Sequence, residues 1–241
     1  MRIAAQLYTV RDLLGKASDM PRVLRSIRRI GYEAVELAGV EPSAGELIDA
    51  GLVACAAHVS LDDIKADPAR MSRRCAEWGC NYLVIPSLPA EYRSEAGYAR
   101  FAEVAVELAR HGLNLAYHNH DFELAVFDGR TGLEILYSAT PAGALKAELD
   151  TYWLEYAGAD AAAWITRLAG RVPLVHLKDM AVRGGMRVQT EVGEGDLPWP
   201  AILGACRSAG VEWLIVEQDE CEGDPLQSLA LSYANLTELL A

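Results

Sequence analysis

The 241-residue chain reads as an α/β protein, a single (β/α)8 TIM barrel spanning residues 1–241. Three observations predict this. Short β-rich apolar runs alternate with longer helical patterns from end to end. Most of the runs are continuous rather than alternating, as expected for parallel strands covered on both faces. Eight strand–helix units share the length at about 30 residues each, the size of a minimal βα repeat.

The strands are expected at Arg2–Leu7, Ala34–Leu37, Leu52–Ala57, Tyr82–Ile85, Leu113–Tyr117, Leu145–Leu149, Leu174–Leu177 and Trp213–Val216. Between them, Pro21–Ile30 carries Val23, Leu24, Ile27 and Ile30 at helical spacing, and Tyr98–His111 carries Phe101, Val104, Ala105, Leu108 and Ala109 as a core-facing stripe. Gly31, Gly51 and Gly112 each stand between a helix and the next strand, where a left-handed cap is wanted. An open dinucleotide-binding sheet would show G-x-G-x-x-G after its first strand. Here no glycine occurs before Gly15, and Gly193 and Gly195 form a G-x-G too late in the chain, which reads as a loop. No linker or low-complexity segment divides the chain.

Composition narrows the function. With 51% hydrophobic and 23% charged residues, disordered and collagen-like classes are excluded. Twenty-two Lys and Arg against 34 Asp and Glu give a net charge of −12, which argues against a nucleic-acid partner. No uncharged run approaches the roughly 18 residues of a membrane span, and the first residues read as a strand broken by Gln6 and closed by Arg11 and Asp12, not a signal peptide. Cys55, Cys75, Cys80, Cys206 and Cys221 are odd in number and form no C-x-x-C pair, so reduced thiols in a cytoplasmic protein are expected. The expected partner is a small molecule; a homo-oligomer is left open.

In a barrel the C-terminal strand ends carry the active site, and the last four strands all end in chemistry-bearing residues. The fifth runs into Tyr117-His118-Asn119-His120-Asp121-Phe122-Glu123, the sixth into Glu148-Leu149-Asp150, the seventh into His176-Leu177-Lys178-Asp179 and the eighth into Glu217-Gln218-Asp219. Two Glu, one Asp and one His make a mixed oxygen and nitrogen site suited to Mn²⁺, Co²⁺, Mg²⁺ or Zn²⁺. Each residue also has an ordinary reading. Glu217 is a surface carboxylate, Asp150 a helix cap, His176 a core histidine, and Glu123 competes with His118, His120 and Asp121 on the same loop. The coincidence of four consecutive strand ends outweighs these readings.

These stretches, with Gln6-Leu7-Tyr8-Thr9-Val10-Arg11-Asp12 and Val192-Gly193-Glu194-Gly195-Asp196, resemble the sugar phosphate isomerase/epimerase family of the xylose-isomerase-like TIM barrel superfamily along essentially the whole chain. The resemblance implies one divalent metal held by Glu, Asp, His and Glu from successive strands, here Glu123, Asp150, His176 and Glu217. Trp153 departs from the ketose epimerases of this group, which often carry a histidine at that place. DNA-repair endonucleases of the same barrel use three zinc ions and many more histidines than the five present here.

The chemistry follows from the residue types. Removing a proton next to a carbonyl gives an enediolate, which a bound divalent metal stabilises as a Lewis acid. Glu123 and Glu217 are the candidate acid–base pair as well as ligands. Lys178 is the candidate partner of a substrate oxyanion, its alternative being a salt bridge to Asp179 or a rim carboxylate. His58, His118, His120, Tyr8 and Trp153 are candidate substrate contacts, with second-sphere or core roles as alternatives. The expected activity is a metal-dependent isomerase or epimerase of a sugar, sugar phosphate or polyol. A lyase or dehydratase on the same metal site, and a barrel without catalysis, are the alternatives.

Overall fold

A computed structural model describes residues 1–241. The strands, in chain order, are β1 (Arg2–Gln6), β2 (Ala34–Ala38), β3 (Val53–His58), β4 (Tyr82–Ile85), β5 (Leu115–His118), β6 (Val126–Phe127), β7 (Arg130–Thr131), β8 (Lys146–Asp150), β9 (Leu174–Leu177), β10 (Asp179–Arg183), β11 (Met186–Thr190) and β12 (Trp213–Val216). Eight of them, β1, β2, β3, β4, β5, β8, β9 and β12, pair in that order, every pair parallel, and β12 closes on β1. The predicted closed barrel is the observed one. Two antiparallel hairpins, β6–β7 and β10–β11, are additions above the barrel that apolar patterning did not mark.

The fifth and sixth barrel strands begin one or two residues later than expected and extend by one, into His118 and Asp150. Hydrophobicity undercounts strand length here because a barrel interior near the rim admits polar side chains that meet one another across the ladder. The inward positions show this layering. Ala4, Ala34, Ala56, Ala116, Leu174 and Ile215 form one buried cluster with Tyr82, Val84, Trp213 and Cys55. Two residues further along six of these strands, on the same face by strand parity, stand Gln6, Glu36, His58, His118, His176 and Glu217. A dry floor of small and branched side chains thus carries a polar storey on top.

The outer layer consists of α1 (Met20–Ile30), α2 (Ala44–Ala50), α3 (Leu61–Ala66), α4 (Pro68–Trp78), α5 (Glu95–Ala109), α6 (Gly132–Ala139), α7 (Thr151–Tyr156), α8 (Ala161–Arg167), α9 (Trp199–Ala209) and α10 (Pro225–Leu240). The α1 stripe Val23, Leu24 and Ile27 is fully buried, as its spacing predicts. The Ser43–Glu46 capping box starts α2, and Gly51 at φ 72° ends it in the left-handed region that favours glycine. No helix among the described residues is long and apolar enough to cross a membrane.

Asp179 organises the loop that returns from β11 to α9. Its carboxylate accepts from the backbone N–H groups of Met180 (2.8 Å), Gly193 (2.8 Å), Gly195 (3.2 Å) and Leu197 (3.3 Å), and from Trp199 Nε1 (2.6 Å). A Cβ at Gly195 would lie 2.5 Å from the Met180 carbonyl oxygen, so the G-x-G is a close wrapping around a buried carboxylate. Asp179→Asn would turn an amide NH₂ onto these donors and is expected to cost about 1–3 kcal/mol. The urea midpoint checks this; an unchanged midpoint would mean that the loop holds itself.

Candidate active site

Strand parity delivers two storeys of polar groups to the barrel centre. In the inner storey, Gln6 Nε2 donates to Glu36 Oε2 (2.7 Å), and His176 Nε2 lies 2.6 Å from the same oxygen. Glu148 Oε2 is shared by His58 Nε2 (2.7 Å) and His118 Nδ1 (3.2 Å). In the outer storey, His176 Nδ1 lies 2.7 Å from Glu217 Oε2, and His118 Nε2 lies 3.7 Å from Asp150 Oδ2. Lys178 Nζ stands among three carboxylates, Glu217 at 2.8 Å, Asp219 at 2.9 Å and Asp150 at 3.1 Å. All of these except His58 and Asp219 are buried.

Local structure fixes several of them. Asp150 ends β8 and caps α7, its Oδ1 accepting from Trp153 N at 3.0 Å. The cap reading of Asp150 is realised, and Oδ2 remains turned to the centre. Thr151 Oγ1 accepts from the Lys178 N–H (3.1 Å) and has the carbonyl oxygens of His176 (3.1 Å) and Lys178 (2.9 Å) within reach of its one proton, tying the end of β9 to the start of α7. Lys178 pairs with rim carboxylates and not with Asp179, because the two neighbours point to opposite sides of the strand.

Four carboxylates buried together set strong fields. Burial raises the Glu36 pKa to about 7, with the Glu148 charge adding to the effect. Burial likewise raises Asp150 to about 6 against the pull of Lys178. Burial opposes ionisation of Glu217 too, but Lys178 and His176 hold it well below the usual carboxylate range. Burial also works against charge on His176 and Lys178, yet the surrounding carboxylates hold both well above their usual values. Lys178 and His176 thus favour the ionised form of Glu217.

Two donor sets converge closely enough to hold a cation, each with its ligand atoms within 4.8 Å of one another: His118, Asp150, His176 and Glu217, and His58, His118, Glu148 and His176. They share two imidazoles, and each shared ring turns one nitrogen to each storey. An imidazole that donates its N–H to the inner carboxylates presents its lone pair to the outer set. Asp150 Oδ2 is buried without a hydrogen bond, its approach to Lys178 being off-angle, and Glu36 Oε1 and Glu148 Oε1 are also unpartnered. Two oxygens and two nitrogens with an unsatisfied carboxylate suit a borderline divalent ion.

Three of the four ligands expected from the sequence, Asp150, His176 and Glu217, come together. Glu123 does not join them. The loop past β5 closes a 3-10 turn at Phe122–Leu124, which turns Glu123 onto the Tyr117 hydroxyl and the His120 N–H (2.8 Å), behind the barrel wall where Tyr117 packs on Phe101. His118 takes the place in the cluster. Tyr8, His58, His118, His120, Lys178 and Glu217 all line one cavity of about 480 Å³ at the C-terminal rim. Trp153 lies beside it, 5.3 Å from the His120 ring, and lines an adjoining hollow with Tyr8.

The profile of the xylose isomerase-like TIM barrel family matches residues 24–235. The chain belongs to this family. No curated protein matches it. Among solved structures, a sugar phosphate isomerase/epimerase from Parabacteroides distasonis superposes with a TM-score of 0.80 at 21% identity, covering 98% of this chain and 93% of that one. A probable 3-DHS dehydratase involved in petrobactin synthesis, from Bacillus anthracis, gives 0.70 at 16% identity, with 98% and 99% covered. The IOLI protein, solved with a bound zinc atom, gives 0.73 at 13% identity, with 100% and 98% covered. At these identities the likeness is one of fold, and the structural neighbours include both a sugar phosphate isomerase/epimerase and a probable dehydratase.

Glu36 and Glu148 were missed by the sequence reading. Their signal was present: Glu36 is the lone carboxylate of the apolar strand A-V-E-L-A, and Glu148, in K-A-E-L-D, shares the inward parity of Asp150. Glu123 gives a separate, measurable consequence. Burial raises its pKa to about 7, so the folded state binds its proton more tightly than the unfolded chain does. Between about pH 4.5 and 7 stability therefore falls as pH rises, by about 3 kcal/mol from this group. Glu36 and Asp150 act in the same direction. Glu123→Gln should remove its share of that slope in urea unfolding across the range; an identical slope in the variant would assign the titration elsewhere.

Proposed function

We propose that this protein is a divalent-metal-dependent isomerase or epimerase of a sugar or related polyol, working by proton transfer next to a carbonyl. The observation that carries the reading is the convergence of His118, Asp150, His176 and Glu217 beside a rim cavity of sugar size. These four side chains would hold the ion, with Glu36 and Glu148 orienting the two imidazoles from below. When bound, the ion supplies Lewis-acid polarisation of a carbonyl.

The remaining work falls to the chain's own groups. Glu217 lines the cavity, is ionised beside Lys178, and serves as the base that takes the proton from the carbon next to the carbonyl. The Lys178 ammonium, held charged by its carboxylates, faces the negative charge that develops on substrate oxygen. One base suffices for an aldose–ketose isomerisation that returns the proton on the same face. An epimerisation needs a second group opposite, and His120, whose ring lines the cavity, is the candidate for it. Tyr8 and Trp153 supply apolar walls for a sugar ring.

The test is product analysis in D₂O with a panel of aldoses and ketoses and each of Mn²⁺, Co²⁺, Mg²⁺ and Zn²⁺. A stereoisomer or aldose–ketose partner carrying deuterium at the exchanged carbon is expected. Loss of water would move the protein to the dehydratase class on the same site. No metal requirement would remove the reading altogether.

A further inference from the structure

The walls of the cavity are acidic. Glu41, Asp63, Glu217 and Asp219 face it, and Lys178 is the one Lys or Arg side chain that lines it among the described residues. That ammonium is already enclosed by Asp150, Glu217 and Asp219 at 3.1, 2.8 and 2.9 Å. The arginines around the mouth are committed as well. Arg74 pairs with Glu41, Arg11 donates to the carbonyl oxygens of Tyr8 and Asp219, and Arg93 donates to Leu88 O and Ser87 Oγ.

The charges can be matched one by one. A divalent ion would offset Asp150 and Glu217, Lys178 offsets Asp219, and Arg74 offsets Glu41. Asp63 is left over, with its Oδ2 accepting only from Ser60 Oγ at 2.6 Å. The other titratable walls are imidazoles, and two of them, His58 and His118, already share Glu148. Among the residues that line the cavity no Lys or Arg is without a carboxylate beside it, and none is left free to receive a phosphate dianion, which is normally met by positive charge and several N–H donors. The same surface suits hydroxyl groups, which donate to carboxylates, and the exposed Tyr8 ring, covered on one face by Arg11, offers its other face for stacking.

We infer that the site takes an uncharged polyhydroxy substrate, a free sugar or non-phosphorylated derivative, and discriminates against phosphate esters. The carbonyl part of this substrate and the ion in the charge matching rest on the proposed reaction; the charge rule rests on the acidic cavity walls.

Binding to the full chain in Mn²⁺, by calorimetry and thermal shift, tests the rule with matched pairs: D-fructose and D-fructose 6-phosphate, D-ribulose and D-ribulose 5-phosphate, with xylitol and inorganic phosphate as bare probes. Like charge at close range makes the free member of a pair bind at least about tenfold more tightly, with no stabilisation by inorganic phosphate. Asp63→Asn should narrow that gap. The proposal is overturned if the esters bind more tightly and Arg187→Ala, at the adjoining hollow, abolishes the advantage. It is equally overturned if no uncharged sugar or polyol binds even at high concentration. Turnover is read separately: a free sugar that binds but loses water leaves the charge rule standing and refutes the isomerase reading.

Discussion

Glu217→Gln is expected to lose about 10²–10⁴-fold in turnover at saturating metal, the usual contribution of a general base. The amide keeps an oxygen that can face the cation but cannot accept a proton, so the holding and transferring roles of this side chain come apart. Its partners stay in place, with His176 Nδ1 at 2.7 Å and Lys178 Nζ at 2.8 Å on the same carboxylate oxygen. Deuterium incorporation next to the substrate carbonyl should fall in parallel, because enolisation is the step removed. Normal exchange in a metal-saturated variant would leave Glu217 as a ligand and transfer the base to His120.

Lys178→Met is expected to destabilise the metal-free protein by about 3–5 kcal/mol, the cost of leaving buried carboxylates without their cation. Asp150, Glu217 and Asp219 all lose the same ammonium, and the first two have little solvent to replace it. A divalent ion bound to the same carboxylates supplies the missing charge, so Mn²⁺ or Zn²⁺ should raise the melting temperature of the variant more than that of the parent. A variant as stable as the parent in chelator-treated buffer would refute this electrostatic account. Buried ammonium and metal are thus two ways of satisfying one acidic nest. Activity of the variant should fall too, since the charge facing the substrate oxyanion is gone.

The inner Glu36 and Glu148 explain why the nest is held so firmly. Each is fully buried, and each accepts from imidazoles that also face the outer storey. An ionised carboxylate in such surroundings is costly unless paired, and the pairing here falls on His58, His118, His176 and Gln6. The same pairing fixes ring orientation, so the price of burial is recovered as geometry at the metal-ligand candidates.

Much of this was legible in the residues. Continuous apolar runs spaced by helical stripes determined eight parallel strands, because only strands covered on both faces tolerate such runs, and the lack of G-x-G-x-x-G after the first strand favoured a closed barrel over an open dinucleotide-binding sheet. Period-two parity determined that His176 and Lys178 point together while Asp179 turns the other way, and the strand ends put Asp150, His176 and Glu217 on one rim. The tertiary structure decided what lies beyond the strand ends and across the barrel. Parity ends where the ladder ends, so the 3-10 turn after His120 was free to carry Glu123 behind the wall and leave His118 in the cluster. It also decided the meeting of Glu36 with His176, 140 positions apart, since a closed barrel brings opposite strands within hydrogen-bond reach while sequence spacing records only neighbours along the chain. The charge of the cavity was settled in the same way. A net charge of −12 says that acids predominate, but only the fold shows which of them already have a cation beside them.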